Sequence, residues 1–292
     1  MNTLKNVYYV GANREHKSIT KLFLELSKDS SEKTIYVDEG VYNIFKEYKE
    51  AGIPSPTDDV SVSDYFTYNA FLPLNTRLIG LGRVELEFLP HADEITYGES
   101  ITWAPLNIRG ACCVENIEIH CKNGRYCIHD DGHNKITNVG HHYKDVVCVY
   151  HLGDLKKGKR LGLSNTIGFG FAQGCDFTFE DCTFRFEGEG NYSAFYGHDD
   201  GAENPGNVPT IFVKNCNIIA CKDSDCAMCL QSLAVPGPDI VKVRVESCNI
   251  EGGIYLTIYH EKNSQKFDVT LTESGNPPLK TDGENAFPIK IL

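Results

Sequence analysis

A six-residue pattern recurs along this chain and constrains its fold more than any other feature. It reads apolar, any residue, small polar, Ile/Val/Cys, any residue, apolar. The instances are Val114-Glu-Asn-Ile-Glu-Ile119, Tyr143-Lys-Asp-Val-Val-Cys148, Phe179-Glu-Asp-Cys-Thr-Phe184, Val213-Lys-Asn-Cys-Asn-Ile218 and Val245-Glu-Ser-Cys-Asn-Ile250. Successive starts lie 29, 36, 34 and 32 residues apart, within the range of repeat architectures. Helical repeats share such periods, but these segments alternate as strands do. Asn, Asp or Ser at the third position tolerates left-handed backbone and bonds locally to it, which predicts a tight corner between strands. The fourth position (Ile117, Val146, Cys182, Cys216, Cys248) then points inward and stacks on itself from turn to turn. The pattern predicts a solenoid of β-coils, each burying its apolar face only against its neighbours. In an apolar stack of that kind, Cys216→Ser is expected to destabilise by about 1–3 kcal/mol.

Composition narrows the function classes. The 292 residues carry a net charge of −12, which excludes a broad phosphate-binding face and with it nucleic acid as a partner. No run of 18 apolar residues exists, so no membrane insertion is expected. Residues 1–10 lack the continuous apolar segment of a signal peptide, and the expectation is a product made in the cytoplasm. The 12 cysteines of a long chain without an export signal read as buried free thiols rather than disulfides. Cys226-Ala-Met-Cys229 is the only CxxC. On a strand, an offset of three sends the two thiols to opposite faces, poor geometry for a shared metal. The adjacent His141 and His142 would likewise face opposite ways. No metal or cofactor is expected, with calcium at paired aspartates the one option.

The recurring corner resembles that of the right-handed parallel β-helix in the pectin-lyase-like superfamily. The front end is similar as well. Ser18-Ile-Thr-Lys-Leu-Phe-Leu-Glu-Leu26 has apolar residues at helical spacing and would cap the open end of a solenoid. Thr34-Ile-Tyr-Val-Asp-Glu-Gly-Val-Tyr42 is similar to the family's first strand and corner, and Arg77-Leu-Ile-Gly-Leu-Gly82 to its next coil. The resemblance covers most of residues 7–272. It implies an all-β fold, a right-handed parallel β-helix solenoid with a short N-terminal capping helix. The chain then forms one domain over 1–292, with a cap in 1–33, coils in 34–272 and a tail in 273–292. Two insertions interrupt the coils: a helix-like piece with a Pro-rich loop near 46–70, and a basic, Gly-broken loop near 152–163.

Candidate chemistry sits on the first strand of each coil. Aligning those strands places Tyr126-Cys-Ile-His-Asp-Asp-Gly132 two coils before Ser193-Ala-Phe-Tyr-Gly-His-Asp-Asp-Gly201. His-Asp-Asp-Gly thus occurs twice near one strand end. Equivalent positions two coils apart lie about 10 Å from each other, close to the roughly 6.5–9.5 Å carboxyl separation of inverting glycosidases. One of Asp130 and Asp131, with one of Asp199 and Asp200, could be acid and base, with His198 beside them. Crowded like charges would keep one acid protonated. His129, Gln231 and His260 could bind sugar hydroxyls, and Phe169 and Tyr196 offer rings for stacking. Asp-Asp-Gly is also ordinary turn chemistry, so polar corner, carbohydrate contact and catalysis all stay open.

The family resemblance adds little to the choice. Polygalacturonase-type hydrolases carry Asn-Thr-Asp, Gly-x-Asp-Asp, Gly-His-Gly and Arg-x-Lys, and only Gly197-His-Asp-Asp200 matches. The lyase and methylesterase patterns are absent. The overall resemblance to tail-associated members of the superfamily implies a carbohydrate-recognising β-helix of a phage or prophage tail. Such a protein would bind a polysaccharide or cell-surface glycan as a homotrimer in the virion tail, with depolymerising activity an option. The alternative is a stand-alone bacterial polysaccharide hydrolase or lyase. An acidic polymer would then need a basic track, for which Lys156-Lys-Gly-Lys-Arg160 is the candidate.

Overall fold

The third residue of every repeat holds a left-handed backbone: φ is 54° at Asn116, 53° at Asp145, 56° at Asp181, 52° at Asn215 and 51° at Ser247. This conformation brings Cβ against the following carbonyl for most L-residues, and only a short polar side chain bonds locally in return. Asn116 Nδ2 donates to the carbonyls of Gly80 and Gly82 on the preceding coil, at 2.9 and 3.0 Å. Asn215 Nδ2 donates to Asp181 Oδ1 at 3.1 Å, tying corner to corner. A sixth corner, at Glu273 (φ 49°), follows Leu271-Thr272. It escapes the sequence pattern because it carries Glu and Ser where the others carry Asn, Asp or Ser and Ile, Val or Cys.

The structure is a computed structural model describing residues 6–59, 67–131, 140–163, 165–171, 175–199, 208–232, 240–258, 267–282 and 289–292. It is a right-handed parallel β-helix, the handedness expected of parallel crossovers. Sheet A stacks, in order, Val7–Val10, Lys33–Asn43, Thr76–Phe88, Cys112–Lys122, Gly140–His151, Asp176–Glu180, Thr210–Lys214, Val241–Glu246, Phe267–Thr272 and Lys290–Ile291. Short continuations past the corners, Thr183–Glu187, Asn217–Ile219 and Asn249–Glu251, stack on one another. Sheet B stacks Leu106–Ile108, Ile128–Asp131, Ile167–Phe171, Phe195–Asp199, Met228–Ser232, Ile254–Ile258 and Leu279–Asp282. The repeats are in register: Tyr143, Phe179, Val213, Val245 and Leu271 pair in succession. The first strand precedes the expected coil boundary at residue 34, and the tail adds one strand to each sheet.

Inward residues form one core. Phe169, Phe171, Phe177, Phe179, Phe184 and Phe195 are fully buried, with Phe169 and Phe179 each 5.0 Å from the Phe195 ring. Tyr143 stacks on Phe179 at 5.0 Å and Tyr150 on Phe186 at 5.4 Å, the separation set by strand spacing.

The fourth repeat position points inward as the pattern requires, but it is not purely apolar. Cys182 N–H donates to Cys216 Sγ at 3.4 Å, Cys216 N–H to Cys248 Sγ at 3.4 Å, and Cys248 N–H to Ser274 Oγ at 3.1 Å. Each thiol also donates back, Cys216 Sγ to the Phe179 carbonyl at 3.5 Å for example. Ser274 ends the same ladder with a hydroxyl, donating to the Val245 carbonyl at 3.4 Å. The expected cost of serine at Cys216 is therefore corrected: the site already satisfies a polar atom.

The cap and both insertions are ordered around this core. Helix α1 (Ile19–Glu25) is capped by Ser18, whose Oγ accepts from Lys21 N at 3.2 Å, and it buries Ile19, Leu22 and Phe23. Helix α2 (Ile44–Ala51) begins two residues before the expected insertion and stops at Gly52, left-handed at φ 71°. Its Tyr48 hydroxyl donates to the Ala104 carbonyl at 3.0 Å and accepts from Asn107 Nδ2 at 2.9 Å. This covers the outer side of the first sheet B strand. Helix α3 (Tyr97–Thr102) lies beside α2, its Glu99 accepting from Lys49 Nζ at 2.7 Å. The basic loop is an antiparallel hairpin, Leu155–Lys156 against Lys159–Arg160, turning at Lys157 and Gly158 with positive φ at both, the I′ signature. At the C-terminal end, Leu292 N–H donates to the Leu271 carbonyl at 2.8 Å, and the Leu292 side chain stays exposed. Among the described residues no helix is long and apolar enough to cross a membrane.

Candidate functional site

Sheet B fixes where each member of the paired tetrapeptides points. Its register runs Ile128–Ile167–Phe195–Met228, then His129–Gly168–Tyr196–Cys229, then Asp130–Phe169–Gly197–Leu230, then Asp131–Gly170–His198–Gln231. Side chains alternate between faces along a strand. The row containing Asp130 and Gly197 faces the lumen, and the flanking rows face outward.

The two His-Asp-Asp-Gly motifs are thus two coils apart, as expected, but offset by two residues along the strand. Asp199 pairs with Phe171, not with the row of Asp130. The offset and the coil spacing together put the two backbones roughly 12 Å apart. An even offset preserves the facing, so both first aspartates point into the solenoid. Asp130 is fully buried and Asp199 is 2% exposed.

Inside, Asp130 Oδ2 accepts from His141 Nδ1 at 2.7 Å and from the Tyr143 hydroxyl. Burial alone would lower the His141 pKa, but the Asp130 charge and hydrogen bonds to Asp130, Cys112 and Cys175 together outweigh it and hold the imidazole well above its usual range. Burial and that same charge raise the Tyr143 phenol. Asp199 Oδ2 accepts from Ser232 Oγ at 3.1 Å. The assignment of Asp130 and Asp199 as catalytic acids is corrected accordingly: neither reaches solvent, and both satisfy lumen donors. Phe169 is corrected as well, since it packs among core phenylalanines and offers no stacking face. The side chain of Asp131, and all of Asp200 and His260, lie outside the described residues.

The outer face holds the other candidates. His129 is outward but only 2% exposed, its ring 5.6 Å from that of Tyr126. Tyr126 lies flat over Gly168, where a Cβ would stand 2.4 Å from its Cε2. The Arg125 guanidinium sits 5.5 Å from the Tyr126 ring centre. One coil on, the surface opens. Tyr196, His198 and Gln231 are all half-buried, with the Tyr196 and His198 rings 5.8 Å apart. The Tyr196 hydroxyl donates to Gln231 Oε1 at 2.8 Å. His198 Nδ1 lies 3.1 Å from the Asp199 carbonyl. A carbonyl can only accept, so Nδ1 carries a proton, and in the neutral ring Nε2 is then the acceptor.

Two coils beyond Tyr196 in the same row stands Tyr255, which the sequence reading missed. Lys280 Nζ lies 5.6 Å from its ring centre and 3.2 Å from Asp225 Oδ2. The signal was available: Tyr255 occupies the outward position following Ile254, as Tyr196 follows Phe195.

Between the two tyrosines lies Cys229. The CxxC reading is corrected here, because Cys226 precedes the strand, its Sγ donating to the Met228 carbonyl at 3.5 Å, and its thiol interacts with that of Cys229 instead of facing away. This contact raises the Cys226 pKa and lowers that of Cys229. All the cysteines are free, and all but Cys113 are buried. The basic loop commits part of its charge locally, while Lys157 and Lys159 are exposed. Lys156 Nζ donates to the Ala92 carbonyl at 2.8 Å and to that of Ile95, and Arg160 Nη1 to the Gly153 carbonyl at 2.6 Å. Lys159 Nζ lies 4.5 Å from the Tyr97 ring centre.

No family model and no curated protein matches this chain. Solved structures similar to it include pectin methylesterase from carrot, 10% identical with a TM-score of 0.43, covering 100% of this chain and 89% of that one. Pectin methylesterase PemA from Erwinia chrysanthemi is 11% identical with a TM-score of 0.41, covering 88% and 81%. A polygalacturonate lyase fused to a self-assembling amphipathic peptide is 11% identical with a TM-score of 0.37, covering 96% and 82%. At these values neither activity nor substrate passes from those proteins to this one.

Proposed function

We propose that this is a carbohydrate-recognising β-helix protein whose outer sheet B face, at Tyr196, His198 and Gln231, holds a glycan. The arrangement of Tyr196 with Gln231 supports the reading most. Their hydrogen bond fixes an aromatic ring beside an amide that carries donor N–H groups, and His198 Nε2 adds an acceptor. Sugars present apolar faces ringed by hydroxyls that both donate and accept, and this surface matches them group for group. Tyr255, about 10 Å along the row, extends the stacking surface.

Binding is favoured over cleavage because Asp130 and Asp199, two of the four aspartates offered as acid and base, are engaged inside the solenoid. The reading includes a phage or prophage tail as the setting, in which chains associate as trimers. Exposed Ile291 and Leu292 at the last coil would then be covered.

A panel of neutral and acidic polysaccharides tests both parts, read by calorimetry for binding and by reducing ends and unsaturated products for cleavage. Binding without product is the expected result. No binding to any member, or turnover abolished by Asp199→Asn in a folded protein, would overturn it. Solution mass tests the trimer.

A further inference from the structure

We infer that the lumen cluster Cys112, Asp130 and His141 is a structural zinc site. One donor atom from each residue lies within 4.8 Å of the others, and all three residues are buried. Cys112 Sγ stands 3.8 Å from His141 Nδ1 and 3.9 Å from the Tyr143 hydroxyl. Zinc held at about 2.0–2.3 Å by tetrahedral ligands separates those ligand atoms by roughly 3.3–3.8 Å. The separation of Cys112 from His141 already matches, and the 2.7 Å contact of His141 with Asp130 must open.

The donor set is thiol, imidazole and carboxylate, the mixture that suits zinc and not the oxygen-seeking cations. The Tyr143 hydroxyl, a donor to Asp130, stands beside these three ligands. Ligation replaces the Cys112 thiol proton and the His141 Nδ1 proton by the metal, so two protons leave for each ion bound.

A second observation points to a missing partner. Asp130 Oδ1 is wholly buried and has no hydrogen-bond partner among the described residues. Native interiors rarely leave a carboxylate oxygen so placed, because its desolvation goes uncompensated. A cation between Asp130 and Cys112 supplies that compensation. There is also a way in. A surface pocket of about 590 Å³, lined by Lys33, Thr76, Arg77, Cys112, Cys113 and Gly140, reaches Cys112 from outside.

A competing cluster provides the control. Glu85, Glu118 and His120 lie within 4.8 Å of one another on the outer face of sheet A, where a divalent ion would be surface-bound.

The test measures zinc by elemental analysis after purification in zinc-containing buffer and exhaustive dialysis. It is repeated with cobalt(II), whose tetrahedral thiolate complex absorbs in the visible and near ultraviolet. The expected result is one zinc per chain, falling below one tenth in Cys112→Ser and unchanged in His120→Ala, with a thiolate–cobalt band in the wild type and His120→Ala but not in Cys112→Ser. The wild type should also melt at higher temperature with zinc than with a chelator, a readout that survives if a variant fails to fold. Zinc retained in Cys112→Ser but lost in His120→Ala would overturn the inference. So would wild-type protein that keeps no zinc and melts identically under both conditions.

Discussion

Asp130 lies in register with Gly197, through Phe169, and not with Asp199. The first aspartates of the paired motifs are therefore lumen features, and their substitution should be read as a loss of stability. Asp130→Asn keeps the shape but removes a buried charge that accepts two hydrogen bonds. Urea titration should show a loss of about 2–3 kcal/mol, while glycan affinity of the folded protein stays within twofold of the wild type. Asp199→Asn, with Ser232 as its named donor, should cost about 1 kcal/mol.

The cysteine ladder makes a different prediction for each replacement of Cys216. Serine can accept from Cys182 N–H and donate to the Phe179 carbonyl, in the way Ser274 does two rungs along, so Cys216→Ser should stay within about 1 kcal/mol of the wild type. Alanine leaves the Cys182 N–H without its acceptor and opens a small cavity, for a loss of about 1–3 kcal/mol. Thermal melts of the two variants should separate clearly. The hydrogen bond with Cys182, together with burial, pushes the Cys216 thiol up to about 12. Native Cys216 should then resist thiolate-directed alkylation at neutral pH.

The corners were the legible part of this fold, because one physical constraint acts on them directly. Left-handed φ admits few residue types, so Asn116, Asp145, Asp181, Asn215 and Ser247 stand out in the sequence. Glu273 adopts the same φ with none of those residue types, and the last corner stayed hidden. The site was less legible because facing depends on register parity. That the tetrapeptides lie two coils apart could be read, but the two-residue offset depends on where Ile128 and Phe195 meet Ile167. An expectation about the corner can be checked at Asn215. Asn215→Gly should be near neutral, and Asn215→Val should lose about 1–2 kcal/mol in chemical denaturation.

Glu99 gives the protein an acid-sensitive contact. Its carboxylate accepts from Lys49 Nζ at 2.7 Å, from the Ser55 hydroxyl and from Thr96 N at 2.9 Å. Burial alone would raise its pKa, but these donors together hold it below the usual carboxylate range. A group depressed in the folded state stabilises fully above its unfolded pKa, about 4.3, and that contribution fades as pH falls through the lower folded value. Glu99→Gln keeps the capping box with Thr96 but loses the charge. It should cost about 2 kcal/mol at pH 7, and the gap from the wild type should close below about pH 4 in a pH series of melts.

Tyr196 separates ring from hydroxyl in glycan binding. If the ring stacks on a sugar and the hydroxyl orients Gln231, the two contributions come apart by substitution. Tyr196→Phe keeps the stacking face and releases the Gln231 amide from its 2.8 Å bond. A lost hydrogen bond of about 1 kcal/mol corresponds to roughly five- to tenfold in Kd. Tyr196→Ala removes the ring as well and should weaken binding by roughly a hundredfold. Because Tyr196 is half-buried on the outer face, both variants should melt within a few degrees of the wild type. Calorimetric titration with the panel's best-bound polysaccharide checks the order, and equal affinities for Phe and Ala at this position would remove the ring from the contact.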